Sequence, residues 1–133
     1  MRYLLAVVCC LVGMTACGYG SPTSQSPLHQ DVALAPGQSA PIAAAAISLR
    51  FLGVGSDSRC PADASCVHAG SARVDVQVTF ATGGAQIIGF ETGDPQPVRF
   101  GSLTLALVQL TPYPAGPQPI NPADYRATLR VTR

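Results

Sequence analysis

Tryptophan and lysine are both absent from this chain of 133 residues, so all eight of its basic side chains are arginines. Charged residues make up only 11% of the sequence, and the formal net charge is +1. The chain therefore lacks the dense basic surface with which a nucleic-acid-binding domain neutralises phosphates. Runs of like charge are missing too, so the sequence indicates neither an acidic nor a basic partner.

Long apolar runs are missing except for one near the start of the chain. Residues 4–12 are continuously apolar and follow a single basic residue, Arg2. This run is too short to cross a bilayer as a stable helix, and it has the proportions of the apolar region of a secretory signal peptide. We therefore predict that the protein is exported.

The end of this leader reads Met14-Thr15-Ala16-Cys17. It resembles the lipobox of bacterial lipoproteins, although Met14 stands where leucine is usual. The resemblance implies cleavage before Cys17, a diacylglycerol on its sulfur, and an acyl chain on the new amino group. Such chains anchor a protein stably in the cell membrane or outer membrane. The alternative is an ordinary signal peptide, cut near Ala16, and a secreted protein.

Three segments follow from this interpretation. Residues 1–16 are the predicted signal peptide, and residues 17–27 are the lipidated cysteine and a tether rich in Gly, Ser and Pro. Such a composition is typical of a flexible spacer. Residues 28–133 form the predicted domain.

No part of this domain shows a convincing helical period, whereas apolar and polar residues alternate in several stretches. The alternation is clearest over residues 72–80, and the glycines at 83 and 84 then predict a hairpin to a strand over 86–92. Further strands are predicted over residues 47–54, 102–111 and 125–131, and the phase slip within 102–111 indicates a β-bulge or a strand buried on both faces. We predict an antiparallel β-sandwich of immunoglobulin-like size with seven or eight short strands, with a barrel as the alternative.

The stretch over residues 57–72 holds the two cysteines that remain once the leader and the anchor are set aside, Cys60 and Cys66. Disulfides persist in exported proteins, so these cysteines are expected to pair with each other. Because the loop between them is short, such a bond would shape the loop more than it would stabilise the fold. Residues 60–63 could form one helical turn with Pro61 at its first position.

This stretch also resembles a family of small bacterial lipoproteins and secreted β domains without an assigned activity. Members typically read Asp-Ser-Arg-Cys-Pro, then, after a short gap, Cys-x-Trp-Ala-Gly. Here Asp57-Ser58-Arg59-Cys60-Pro61 matches the first part. In the second part His68 replaces the tryptophan. The resemblance supports the disulfide and the β fold but implies no activity.

Four polar residues of the stretch, Asp57, Arg59, Asp63 and His68, form a candidate binding loop, because loops on a rigid scaffold often carry binding residues. A copper or zinc site with His68 near Cys60 and Cys66 is the alternative, although a disulfide sulfur is a poor metal ligand. For calcium, the repeated oxygen ligands of known loops are missing.

Neither a nucleophile-elbow motif nor the two-residue cysteine spacing of disulfide exchangers occurs. We therefore predict a protein that is not an enzyme and uses no cofactor. The expected function is that of an envelope lipoprotein, anchored in the lipid bilayer, that binds an unidentified envelope component or has a structural role. Inhibition of an enzyme is one specific form of such binding.

Overall fold

The computed structural model of the protein describes residues 28–133. The predicted signal peptide, Cys17 and the tether lie outside the described residues, so what is expected of them stays a prediction. Within residues 28–133, no helix is long and apolar enough to cross a membrane.

Residues 28–133 form eight strands and two short 3₁₀ turns. In chain order they are β1 (His29–Leu34), β2 (Ser39–Ile42), a 3₁₀ turn (Ala43–Ala45), β3 (Ile47–Asp57), β4 (Ala72–Phe80), β5 (Ala85–Glu91), β6 (Val98–Phe100), β7 (Leu103–Thr111), a second 3₁₀ turn (Pro122–Asp124) and β8 (Arg126–Thr132). They pair into two antiparallel sheets of four strands, in the orders β1-β8-β7-β6 and β2-β3-β4-β5. The two sheets do not close into a barrel, and the predicted β-sandwich is confirmed.

Alternation of side chains explains why these strands bury one face. In β4, Val74, Val76 and Val78 are fully buried between the sheets, while Arg73 on the other face is exposed. Strand β8 likewise buries Ala127, Leu129 and Val131. Burial of a Val or Leu side chain contributes roughly 1.5–3 kcal/mol, so the buried faces of such strands stabilise the packing of the two sheets.

The phase slip in β7 is a β-bulge, as one of the two interpretations predicted. The register of β7 against β8 shifts between Leu107 and Gln109. Leu107 and Leu110 both face the core, whereas the extra residue, Val108, is 44% exposed. The bulge therefore turns Val108 outward near the end of the strand.

Two local predictions need correction. Strand β3 runs to Asp57 and not to about residue 54, because two register shifts against β4 keep it paired beyond its glycines. Residues 61–64 form an isolated turn, in which the Ala64 N–H donates to the Pro61 carbonyl at 3.0 Å, in place of the predicted helical turn over 60–63. The alanines after β2, Ala43–Ala45, form the short 3₁₀ turn.

The two ends of the sandwich differ in their loops. At one end lie the loops over residues 58–71, 92–97 and 112–125, and we call this the cysteine end. At the other end lie the hairpin over 81–84, the turn over 101–102 and the point where the chain enters the domain. There the Arg133 N–H donates to the Leu28 carbonyl at 3.1 Å. Phe80 and Phe100 also meet edge to face at that end, with ring centroids 5.7 Å apart.

Candidate functional site

The loop over residues 58–71 is closed by covalent and backbone bonds. A disulfide joins Cys60 to Cys66, as predicted. At the base of the loop, the Ser58 N–H donates to the Ser71 carbonyl and the Cys60 N–H to the Ala69 carbonyl, each at 2.8 Å. The loop therefore extends the β3–β4 hairpin as a closed unit.

Gly70 allows this closure. Its φ of +68° lies in the left-handed region, and a Cβ atom at this position would overlap the carbonyl oxygen of Ser58. Only glycine combines such a backbone angle with so close an approach at little cost. The position explains why the loop needs a glycine between Ala69 and Ser71.

Arg59 is the only charged or polar residue that is buried among those the structure describes, with 7% of its surface exposed. Its guanidinium forms a two-pronged ion pair with Asp57, Nε donating to Oδ1 at 2.9 Å and Nη2 to Oδ2 at 2.6 Å. The Asp57 side chain is 13% exposed. A buried cation needs such a partner, because removal from water disfavours an unpaired charge strongly.

The same guanidinium joins the two sheets. Nη1 donates to the Leu110 carbonyl at 3.2 Å and Nη2 to the Pro112 carbonyl at 3.0 Å. The guanidinium carbon also lies 5.1 Å from the centre of the Tyr113 ring. Arg59 lies in the β3–β4 loop, and these two carbonyls lie in β7 and in the loop after it. One side chain therefore fixes the distance between the two sheets at this end.

Tyr125 completes the cluster from the start of β8. Its hydroxyl donates to Asp57 Oδ2 at 2.9 Å. Burial opposes ionisation of Asp57, but the hydrogen bonds from Arg59 and Tyr125 outweigh it and hold the pKa of the carboxyl below its usual value. Burial, followed by the hydrogen bond to Asp57, raises the pKa of the Tyr125 hydroxyl. Asp57 is therefore a carboxylate and Tyr125 a neutral donor near pH 7.

The cysteine loop also contacts the proline-rich loop over residues 112–125. The Ala62 N–H donates to the Pro114 carbonyl at 2.9 Å, and the Gly116 N–H donates to Asp63 Oδ1 at 2.8 Å. Asp63 thus orders a neighbouring loop while it remains exposed. The two loops form a continuous surface at the cysteine end.

Two grooves flank Arg59 on this surface. The first, which we call the β7 groove, has a volume of about 310 Å³ and lies between Gly70 and Pro95 on one side and Val108, Gln109 and Tyr113 on the other. The second, the proline groove, has a volume of about 450 Å³ and is lined by the proline-rich loop, Val54, Asp57 and Tyr125. Arg59 lines both grooves.

The four residues of the predicted binding loop thus occupy different environments. Asp57 and Arg59 face inward as an ion pair, and Asp63 caps a backbone N–H of the proline-rich loop. His68 is exposed on the outside of the cysteine loop. Their role in binding stays a prediction.

The sulfur atoms of Cys60 and Cys66 are bonded to each other. Within residues 28–133, no group of three or more His, Cys, Asp or Glu side chains is placed to hold a metal ion. The alternative hypothesis of a copper or zinc site at His68 has no specific observation in its favour.

Sequence reasoning missed the residues that form the β7 groove. Neither Val108 nor Tyr113 was predicted to line a groove. The phase slip at Val108 was the available signal, because the extra residue of a bulge turns away from the face of its neighbours. Comparisons of the chain with protein-family models, with curated proteins and with solved structures found no match.

Proposed function

We propose that this protein is a lipid-anchored bacterial envelope protein whose β-sandwich binds another envelope component through its cysteine end. The observation that carries the proposal is the position of the loops relative to the chain entry. Leu28, where the predicted tether joins the domain, lies at one end of the sandwich, and the ordered loops lie at the other. A domain tethered at Leu28 would present the cysteine end away from the membrane.

The architecture of the cysteine end suits binding without conformational change. A disulfide, the Arg59 ion pair and several backbone hydrogen bonds hold its loops together. Preformed loops lose little conformational entropy when a partner binds, which favours affinity. Exposed apolar side chains, Val67, Val108 and Tyr113, lie on the same end. Inhibition of an envelope or foreign enzyme is one function that such a rigid surface would serve.

Site-specific photocrosslinking in intact cells tests the proposal. A photoreactive amino acid is placed at His68 or Gln118, both exposed at the cysteine end. The control positions are Thr82 and Ser102, which are exposed at the opposite end. We expect the same discrete crosslinked product from His68 and Gln118 and none from the two controls.

A product that forms only from Thr82 or Ser102 would contradict the proposal, because the binding surface would then lie at the tethered end. Absence of any discrete product from all four positions, in cells where the protein is abundant, would also count against a binding function and favour a structural one. Identification of the crosslinked partner by mass spectrometry would separate an enzyme target from an envelope component.

A further inference from the structure

The charged side chains of the domain are distributed unequally between its two ends. Of the eight basic and seven acidic residues of the chain, all except Arg2 lie within residues 28–133, so the formal side-chain charge of the domain is zero. We call the end opposite the cysteine end the tether end. It holds Leu28 and the turns over residues 43–46, 81–84 and 101–102. The two halves of the sandwich carry charge of opposite sign.

The half next to the tether end is basic. Arg99 lies in β6 two residues before the turn over 101–102, and Arg133 directly follows β8. Arg50 lies in β3, three residues after the strand begins at the tether end. The fourth arginine, Arg130, pairs with Asp31, which is the one acidic side chain of this half among the described residues. Four arginines and one aspartate give this half a formal charge of +3, and a terminal carboxylate after Arg133 would leave it positive.

The half that ends in the cysteine loop is acidic. It holds six acidic residues and three arginines, which give a formal charge of −3. Two of the arginines, Arg59 and Arg73, form ion pairs. The four acidic side chains outside these pairs are all exposed, and they are Asp63, Glu91, Asp94 and Asp124. The domain is therefore neutral as a whole but dipolar, with its positive pole at the tether end.

The arginines near the tether end are accessible. Arg50 and Arg99 are exposed, and their side chains form no hydrogen bond or ion pair with any of residues 28–133. The Arg133 Nη2 donates to the Ala44 carbonyl at 3.2 Å, which places this guanidinium beside the first 3₁₀ turn. The three turns of this end contain only Ala, Gly, Ser and Thr. Such short side chains let arginines reach a surface in front of the turns, and none of them adds a carboxylate.

The predicted tether joins the domain at this same end. The Arg133 N–H donates to the Leu28 carbonyl at 3.1 Å, so the chain enters the domain beside one of these arginines. A tether of about ten residues spans at most roughly 35 Å, and it returns the basic end to the bilayer repeatedly. Anionic headgroups attract arginines that come within a Debye length, which is about 8 Å at physiological ionic strength.

From these observations we infer that the tether end docks on anionic phospholipid headgroups of the bilayer in which Cys17 is anchored. Arg50, Arg99 and Arg133 contact the phosphates, while the same surface repels the acidic cysteine end. The domain therefore stands with its loops directed away from the membrane. The turns of the tether end carry none of the large exposed apolar side chains of the described residues, which favours docking on headgroups over insertion. The inference rests on the lipid anchor of the proposed function, and it names the surface that orients the domain.

The test uses the full lipidated chain, purified from membranes and placed in vesicles. A fluorophore is attached at Ser102→Cys on the tether end or at His68→Cys on the cysteine end, and a lipid with a nitroxide on its headgroup quenches it on close contact. The vesicles are phosphatidylcholine alone or equal parts of phosphatidylcholine and phosphatidylglycerol. We expect strong quenching only at Ser102 and only with phosphatidylglycerol. Salt at 1 M should abolish it, because the Debye length falls to about 3 Å.

Two substitutions separate docking by the tether end from an effect of net charge. Arg99→Gln removes one basic side chain from the docking surface and should lower the ratio of docked to undocked protein about fivefold. Arg126→Gln is the matched control, because it removes the same charge from an exposed arginine at the cysteine end. It should not lower the ratio. Urea unfolding verifies that both variants remain folded.

Equal quenching at Ser102 in the two kinds of vesicle would overturn the inference, and so would quenching at His68 with phosphatidylglycerol. Equal effects of Arg99→Gln and Arg126→Gln would also overturn it, since the tether end would then have no special role. If the protein stays with phosphatidylcholine vesicles in these cases, the lipid anchor stands and only the docking is wrong. If it leaves those vesicles, the anchor of the proposed function is wrong and the inference fails with it.

Discussion

At the scale of single residues, the stability of the cysteine end depends most on Arg59. Its side chain is almost fully buried, and it joins Asp57 at the end of β3 to the carbonyls of Leu110 and Pro112 at the end of β7. Loss of the cation would leave the partly buried carboxylate of Asp57 without its main partner and would leave two carbonyls without a donor. Both consequences disfavour the folded state.

We therefore predict that Arg59→Met lowers the free energy of unfolding by roughly 3–5 kcal/mol. Arg130→Met is the matched control, since Arg130 pairs with Asp31 in the same two-pronged way but is 39% exposed. Its loss should cost far less, because an exposed ion pair is screened by water and contributes little to stability. Urea unfolding of both variants measures the difference, and equal losses would show that burial of Arg59 does not matter.

The lowered pKa of Asp57 leads to a second prediction at this scale, that the stability of the fold depends on pH. The carboxyl has a usual value of 3.8 and a lower pKa in the folded protein. Its ionised form thus stabilises the fold fully above about pH 5, and this stability is lost as the pH falls below about 4 through the folded-state pKa. Protonation below that point weakens the pair with Arg59.

Asp57→Asn should remove this pH dependence. At pH 7 we expect the variant to be less stable than the wild type, since Arg59 keeps its charge but loses its partner. The difference should shrink as the pH falls through the folded-state pKa of Asp57, where the wild-type carboxyl also loses its charge. Urea unfolding over this range measures it, with Asp31→Asn as the exposed control. A difference that stays constant with pH would contradict the assignment.

At the scale of elements, the cysteine loop depends on a glycine as well as on its disulfide. We expect Gly70→Ala to lower stability by on the order of 3 kcal/mol, because the new Cβ overlaps backbone and the φ angle is strained. Gly89→Ala is the control. Its Cβ would meet only the flexible end of Arg73, so the loss should stay below about 1 kcal/mol. Thermal unfolding compares the two, and a tolerated Gly70→Ala would mean that the loop adopts another path.

The disulfide should contribute less than the core does. Cys60 and Cys66 are six positions apart, and closure of so small a loop stabilises by roughly 2 kcal/mol. The double variant Cys60→Ala/Cys66→Ala should therefore remain folded, with a loss of about that size. Reduced wild-type protein is the control and should show the same loss. Complete unfolding of either would mean that the bond holds the sandwich together.

The elements also show how far sequence reasoning reaches in this chain. Strands β4 and β8 were predictable because one face of each is buried and the other faces solvent. Their apolar and polar residues therefore alternate along the sequence. The end of β3 was not predictable. Its pairing with β4 continues past Gly53 and Gly55 through two register shifts, and these shifts interrupt the alternation of apolar and polar residues. The Asp57–Arg59 pair was assigned to an exposed loop, because nothing local in a sequence shows that a distant segment, over residues 110–113, will cover it.

At the scale of the whole molecule, the direction of the sandwich matters only if Leu28 is joined to a membrane. We predict that the mature chain begins at Cys17 and carries a diacylglycerol on its sulfur. A tether of about ten residues can span at most roughly 35 Å, so the domain would stay close to the bilayer and its reach would be limited to partners near that surface.

Intact mass of the protein from membranes, with and without reduction, measures this prediction. The expected mass is that of residues 17–133 with lipid, increased by two hydrogens when the Cys60–Cys66 bond is reduced. Cys17→Ser should move the protein to the soluble fraction and leave its unfolding unchanged, because the substitution lies outside the β domain. Cys9→Ser is the matched control, since it removes a leader cysteine but keeps Met14-Thr15-Ala16-Cys17. An unlipidated chain that is secreted by wild-type cells would overturn the anchor, and the cysteine end would then have to meet its partner by free diffusion.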